Sequence, residues 1–484
     1  MTAIKKLLLL LLDDEVIYEC RCILHSYGSG NVIRLSRPSK MFRRGKNYLL
    51  IWPERPYWIA CDEEIMFLFK NFGHAKDKDS LYDEYTQIYP GKTPSFKDFS
   101  KMIEHLEKKG LISKGDSPPP HSSDKIENVT INITNKCNLS CLHCYNQDIP
   151  HGEDIIEPED VERLLSSLEH KLKDGGSFAI LGGEPLLRAD ETLEACLIAR
   201  RYGLDPIIST NGTILPDGYP KKLRRHSINL QVSLDGATPA TNDEIRGKGV
   251  FRTVEKNVKL LTKKKVHVIL SMVVCQENIH ELEDFLYLGE KWGVKEVRFI
   301  PLKLIGKGQE DNLTPPSFKE LVRRAAMFLS NNKKYQKYLL RDFFTILMWQ
   351  CIVCKHSEYC GMGSKTLFMD SDGGLYPCPN MCDEKFLFGN IRNKRNLEKV
   401  WHESDVLLDI RETCNVHTMN PKCSNCAVRN WCAGGCRGET YHVLGNLYEP
   451  SPMCKNYKEA IIETMWLLAE HPHIKPKKAK EEHF

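Results

Sequence analysis

Between Val129 and Ile300 the chain alternates short apolar, β-branched runs with longer amphipathic ones, and nothing else in it restricts the fold as much. The strand-like runs are Val129–Thr134, Ser177–Leu181, Pro206–Thr210, Ile228–Leu234, Val266–Val274 and Glu296–Ile300. Strands separated by helix-length crossovers predict a parallel sheet. Six such units over residues 127–310 fit an α/β fold, a partial (β/α)6 barrel, with reactive groups expected at the strand C-terminal ends.

Directly behind the first run, Cys137, Cys141 and Cys144 share one loop at C-x3-C-x2-C spacing. Three thiolates on a four-iron cubane leave one iron open for a chelating ligand, whereas four would make a closed electron carrier. A zinc knuckle with a distant fourth ligand is the competing reading, disfavoured by how specific this spacing is behind an opening strand. The motif resembles the signature of the radical S-adenosylmethionine superfamily, with His143 where that family often has an aromatic residue. The resemblance implies a catalytic 4Fe-4S cluster on the three cysteines that cleaves S-adenosylmethionine.

Further loops match that family in order. Gly182, Gly183, Glu184 and Pro185 resemble its glycine-rich turn, which implies that backbone and Glu184 receive the methionine ammonium. Ser209 and Asn211, then Ser233 and Asp235, resemble the loops that contact ribose and carboxylate. Asp and Ser suit hydroxyls, and Arg246 suits a carboxylate. In isolation each of these is an ordinary turn residue.

Most of the 19 cysteines fall between Cys351 and Cys454. In a long chain without a secretory signal, such clustering reads as metal ligation and not as disulfides. The spacing from Cys360 through Gly373 and Cys378 to Cys423, Cys426, Cys432, Cys436 and Cys454 resembles a SPASM domain, the auxiliary-cluster module of peptide-modifying radical enzymes. That resemblance implies one auxiliary 4Fe-4S cluster on Cys354, Cys360, Cys378 and Cys436, and a second on Cys423, Cys426, Cys432 and Cys454. Three clusters result. Cys351 and Cys382 compete with Cys354; without a fourth thiolate, the first auxiliary cluster would keep an open iron. A zinc ribbon is the alternative. Cys20, Cys22, Cys61, Cys196 and Cys275 read as core residues, and Cys414 stays undecided.

Ahead of the barrel, residues 1–115 predict a small winged-helix-like domain. Tyr48–Trp52 and Tyr57–Cys61 flank a proline turn as a hairpin, and three helices follow: Asp62–Phe72, one capped by Ser80 with Leu81, Tyr85 and Ile88 inward, and one capped by Ser95. The pattern resembles the RiPP recognition element, related to the peptide chaperone of pyrroloquinoline quinone biosynthesis. This implies a leader peptide added as a strand to the sheet edge. Winged helices also bind DNA, but Asp98, Glu104 and Glu107 sit among the lysines of the third helix, and a net charge of +4 gives nucleic acid no bulk attraction. Residues 116–126, with three prolines, predict a linker; 311–350 bridging helices; 351–462 the SPASM domain; and 463–484 a disordered tail. The leucine run within Met1–Leu12 is too short for a signal peptide and no segment suits a membrane span, so a cytoplasmic protein is expected.

Together these features predict a radical oxidoreductase that matures a ribosomally made precursor peptide, fed electrons by a flavodoxin- or ferredoxin-type donor. Thioether formation is favoured and carbon–carbon crosslinking comes second. A sulfatase-maturating, formylglycine-forming enzyme is a further reading, against which Pro379 stands where that family places an acidic residue behind the cysteine. A DNA-binding iron–sulfur redox regulator is the non-enzymatic alternative, and it would leave the loops behind Gly182 and Ser233 idle. The precursor peptide, the catalytic base and the oligomeric state are not legible.

Overall fold

The computed structural model describes residues 38–474 except 39, 55, 64–65, 67–77, 91–93, 109–124, 147–153, 311, 354–356 and 394–395. The expected linker, the helix Asp62–Phe72 for the most part, Cys20, Cys22 and Cys354 lie outside the described residues.

Three short strands come first: β1 (Lys40–Arg44), β2 (Asn47–Trp52) and β3 (Tyr57–Asp62), an antiparallel sheet in that order. The hairpin of the sequence is therefore β2–β3, and β1 adds an edge that the sequence reading missed. The helices Lys78–Ile88 and Phe96–Lys108 follow. Ser95 caps the latter, its Oγ accepting from Asp98 N at 3.1 Å. Ser80 lies inside its helix and not at its cap, and although Leu81 and Tyr85 are buried, Ile88 is 48% exposed.

The barrel strands are β4 (Ile126–Asn132), β5 (Leu172–Leu181), β6 (Asp205–Thr210), β7 (Asn229–Ser233), β8 (Val268–Val274) and β9 (Glu296–Pro301), all parallel. Helices lie between successive strands, as predicted. Because side chains alternate along a strand, the register sorts the sheet into two faces. One carries Phe178, Ile180, Ile208, Leu230, Val232, Leu270 and Phe299, all buried. The other carries half-buried polar groups: Gln231 Nε2 donates to Ser209 Oγ (3.3 Å) and Arg298 Nη1 to Gln231 Oε1 (2.7 Å).

The C-terminal cysteine region extends this sheet. β10 (Thr366–Met369) pairs in parallel with β4, and β11 (Gly374–Tyr376) and β12 (Gly389–Asn390) continue outward, giving nine strands in the order β12-β11-β10-β4-β5-β6-β7-β8-β9. The expected tail needs correcting. Residues 463–470 belong to the helix Cys454–Glu470, whose Ala460, Ile461, Met465 and Trp466 are buried, and Ile474 beyond it is 2% exposed. Leu49 and Ile51 of β2, the barrel strands and this helix share one core. Among the described residues no helix is long and apolar enough to cross a membrane.

Candidate active site

The loops behind β4, β5, β6 and β9 meet at the strand C-terminal ends. The Gly182-Gly183 turn lies directly on the cysteine loop: Gly183 N donates to Thr134 O and Glu184 N to Lys136 O, both at 2.8 Å. A Cβ on Gly183 would sit 2.1 Å from Lys136 O, and Gly182 has φ +141°. Only glycines admit this approach. From the other side, Lys307 N donates to Cys144 O at 3.0 Å, and Gly306 (φ +55°) would place a Cβ 2.7 Å from that oxygen.

The three thiols lie within reach of one another's charge, and burial pushes each of them up. A cation or metal is what reverses that penalty. Arg246 Nη1 lies 3.9 Å from Cys141 Sγ; Asn211 Nδ2 lies 3.9 Å from Cys137 Sγ and donates to Asn138 Oδ1 at 2.9 Å. Asn132, Asn135 and Asn146, which bracket the loop, form a buried network with Asp370 behind β10: Asn132 Nδ2 donates to Asp370 Oδ1 (3.0 Å) and Asn135 Nδ2 to Asp370 Oδ2 (3.2 Å).

Several of the predicted cofactor-contact residues hold the loops to one another. Asp235 is fully buried, with Oδ1 accepting from Val273 N (2.8 Å) and Oδ2 meeting Arg246 Nε (2.6 Å) and His143 Nε2 (2.5 Å). Burial alone would raise its carboxyl, yet Arg246 and His143 hold it well below the usual carboxylate range. It faces these two groups, and the Arg246 guanidinium is paired with it. Glu184 is likewise buried: Oε1 accepts from Leu186 N (2.9 Å) and Thr210 Oγ1 (2.6 Å), and Oε2 from Asn211 N (2.7 Å). Its carboxylate clamps the second loop to the third, leaving little acceptor capacity for an ammonium. Pro185 is buried at the start of a short turn. Ser209 and Ser233 remain half-buried on the polar face of the sheet, where a ligand has access.

The C-terminal thiols fall into two groups. Cys360, Cys378 and Cys436 influence one another's charge, as do Cys423, Cys426, Cys432 and Cys454. The second group lines a cavity of about 270 Å³. Cys382 instead neighbours Asp370, Asp372 and Tyr376, and the buried Cys351 takes a hydrogen bond from Trp58 Nε1 on its carbonyl (2.9 Å). Cys61, Cys196 and Cys275 are buried, as expected; Cys414 is buried within reach of Cys360. Among the described residues no three His, Cys, Asp or Glu groups are arranged to hold a single metal ion. Ligands of a cubane sit on separate irons and stand further apart than the ligands of one zinc.

The sequence reading missed the pairing of His143 with Asp235, the asparagine bracket, Lys303, Gly306 and Glu439. The asparagines placed symmetrically about the cysteines were the one visible signal.

A model of the radical SAM superfamily matches residues 131–288, and a model of the SPASM iron–sulfur cluster-binding domain matches residues 360–427. The chain carries a radical SAM domain and is an enzyme that uses S-adenosylmethionine. Mycofactocin maturase MftC of Mycolicibacterium smegmatis is 28% identical over 332 residues, 67% of this chain and 82% of the relative. The structure of native anSMEcpe with bound AdoMet aligns with a TM-score of 0.60 and 21% identity, over 72% of this chain and all of that one. Streptococcus suis SuiB bound to S-adenosylmethionine aligns with a TM-score of 0.56 and 15% identity, over 88% of this chain and 99% of that one. These likenesses place the radical enzyme's fold, a parallel sheet with a C-terminal SPASM domain, on firm ground.

Proposed function

We propose that this radical enzyme matures a ribosomally made precursor peptide, installing a thioether crosslink in preference to a carbon–carbon one. The observation that carries the reading is the N-terminal sheet seated against the cysteine-rich region. Trp58 donates to Cys351 O, Asn430 Nδ2 to Pro53 O, and Arg429 Nη2 meets Glu54 at 3.4 Å. A peptide added to that sheet is thereby tethered to the body that carries the thiol groups. MftC is a maturase, SuiB has been solved with its precursor peptide SuiA, and the SuiB likeness takes in more of this chain than that of anSMEcpe.

Cys137, Cys141 and Cys144 would hold the catalytic 4Fe-4S cluster. Cys360, Cys378 and Cys436, with Cys354 as fourth ligand, would hold the first auxiliary cluster, and Cys423, Cys426, Cys432 and Cys454 the second. When bound, the catalytic cluster and S-adenosylmethionine supply a 5'-deoxyadenosyl radical, which removes hydrogen from a peptide carbon. The chain's own residues keep that chemistry in register: Asp235 orients Arg246 and His143, Glu184 ties the second and third loops, and the glycine turn fixes the cysteine loop. Ser209 and Ser233 offer hydroxyls to the cofactor's ribose. A small flavodoxin- or ferredoxin-type protein is the electron donor.

The test is mass spectrometry of the precursor peptide after incubation with reconstituted, reduced enzyme and S-adenosylmethionine. Loss of two hydrogens per crosslink is expected, with a thioether reported by disappearance of a free cysteine. An unchanged peptide, in a reaction that releases 5'-deoxyadenosine, removes this reading. Conversion of a cysteine to formylglycine would favour the sulfatase-maturating reading, which Pro379 behind Cys378 opposes.

A further inference from the structure

The loop behind β9 touches both thiol groups nearest the barrel mouth. At Lys307 it lies on the first: the backbone N donates to Cys144 O and Nζ to Ser140 Oγ, each at 3.0 Å. At Lys303 it reaches the second, because that side chain stands within charge range of Cys378 and Cys436. Leu304 N donates to Glu439 Oε1 (3.0 Å), and Glu439 N in turn points at Cys436 Sγ (3.5 Å). Three residues separate Lys303 from Lys307, a chain span of at most ~14 Å. One short segment therefore bridges the two sites.

Lys303 is enclosed there. Its Nζ donates to Tyr457 Oη at 3.1 Å and lies 5.9 Å from that ring's centre. Burial works against its charge, but Tyr457, Cys436 and Glu439 around it outweigh that and favour the charged form. An enclosed ammonium needs a compensating anion. Glu439 supplies part of one: its Oε1 is committed to Leu304, and its Oε2 is buried without a hydrogen-bond partner. The remaining anion at this spot would be the thiolate-ligated cluster that Cys360, Cys378 and Cys436 hold when it is bound.

We propose that Lys303 is the counter-cation of the iron–sulfur cluster held by Cys360, Cys378 and Cys436, and that its charge sets how readily that cluster accepts an electron. The inference rests on the auxiliary-cluster assignment made above. A thiolate-ligated cubane gains negative charge on reduction, so a cation beside it stabilises the reduced form more than the oxidised one. Glu439 opposes the effect from the same shell, and Tyr457 fixes where the ammonium sits.

The experiment uses the full chain with Cys137, Cys141 and Cys144 all replaced by Ala, reconstituted with iron and sulfide, so that only auxiliary clusters are present. Midpoint potentials are read by redox titration followed by electron paramagnetic resonance. Lys303→Met, of similar length but uncharged, is expected to move one of the two potentials negative by at least tenfold in the reduction equilibrium, about 59 mV for one electron. The other potential should stay in place. Glu439→Gln is expected to move the same potential in the positive direction. A loaded Lys303→Met protein with unmoved potentials overturns the role of Lys303. Should Lys303→Met fail to load, Glu439→Gln decides, and an unmoved potential in that variant also overturns it. A background protein that holds no iron at all sinks the auxiliary assignment itself, an outcome distinguishable from the other two by metal content.

Discussion

The thiols at the barrel mouth and those of the C-terminal region are held in contrasting ways. Cys137, Cys141 and Cys144 ride a loop that contributes no regular element of its own, and backbone contacts from the loops behind β5 and β9 clasp it at glycines. The C-terminal thiols stand at the ends of short elements: Cys378 precedes a 3-10 turn, Cys432 ends a four-residue helix, and Cys436 and Cys454 stand at helix starts. The first arrangement leaves Cys137 exposed beside a polar sheet face, with Cys141 and Cys144 half-buried; in the second Cys360 is exposed, and Cys378, Cys423, Cys426, Cys432, Cys436 and Cys454 are half-buried. A triad with a neighbouring arginine suits a cluster that must receive a ligand, whereas a set of four suits a cluster that only passes charge.

The largest expected effect breaks the open side of this contrast. Replacing Cys137, Cys141 and Cys144 together by Ala should abolish release of 5'-deoxyadenosine, followed by chromatography after reduction with dithionite. Surviving cleavage would contradict the assignment. On the closed side, Cys436→Ala should remove about four irons per chain, the content of one 4Fe-4S cluster, and with it the crosslinked peptide. Retained iron and product would show that this thiol is structural only.

The glycine clasp can be tested with one methyl group. Gly183→Ala puts a Cβ against Lys136 O, where no side chain can yield because the obstacle is backbone. The cysteine loop must shift, and the catalytic cluster should load poorly while the C-terminal iron remains. Asp235→Asn should act through charge. It leaves Arg246 and His143 buried beside an amide, and breaking a buried pair of this kind costs about 3–5 kcal/mol. Chemical denaturation of the variant checks the loss, and a change under ~1 kcal/mol would mean that the pair contributes little.

Much of this contrast was legible in the sequence, for physical reasons that differ between the regions. Strands β4–β9 declare themselves because each carries a short run rich in apolar and β-branched residues between turn residues, as in Val268–Val274. The triad and the seven later thiols declare themselves by spacing. β10 did not, since Thr366–Met369 is too short to show a period and its pairing with β4 is decided across more than two hundred residues. The helix Cys454–Glu470 was hidden by its end: the Lys- and Glu-rich text beyond Pro472 suggested a tail, while the residues that pack, Ala460 through Leu468, lie just before it. Nor could spacing reveal that Asp235 would turn inward to Arg246 and His143. All three residue types fit a ligand equally well, and only the fold decides which of them are already paired.

The smallest expected effect lies on the seam between the two regions, at the helix Phe343–Ile352 that leads from the barrel toward the C-terminal cysteines. Asp342 caps it, with Oδ1 accepting from Phe344 N (3.0 Å) and Thr345 N (3.3 Å) and Oδ2 from Thr345 Oγ1 (2.5 Å). Burial outweighs these donors and pushes its carboxyl up to about 6. A carboxyl raised above its unfolded value is most favourable when protonated, so its contribution is fully present below the ordinary carboxylate range and is lost as pH rises through about 6. At pH 8 the charged form should therefore cost roughly 1–3 kcal/mol. Asp342→Asn keeps an oxygen for both backbone donors and removes the charge, so it should raise the melting temperature at pH 8. The gain should shrink steadily on acidification through pH 6 toward pH 4, where the native side chain is neutral as well. A gain independent of pH would place its origin in packing and leave the seam uncharged at every pH. A gain that disappears on acidification would mean that the region joining the barrel-mouth thiols to the C-terminal ones holds together better in acid than in base.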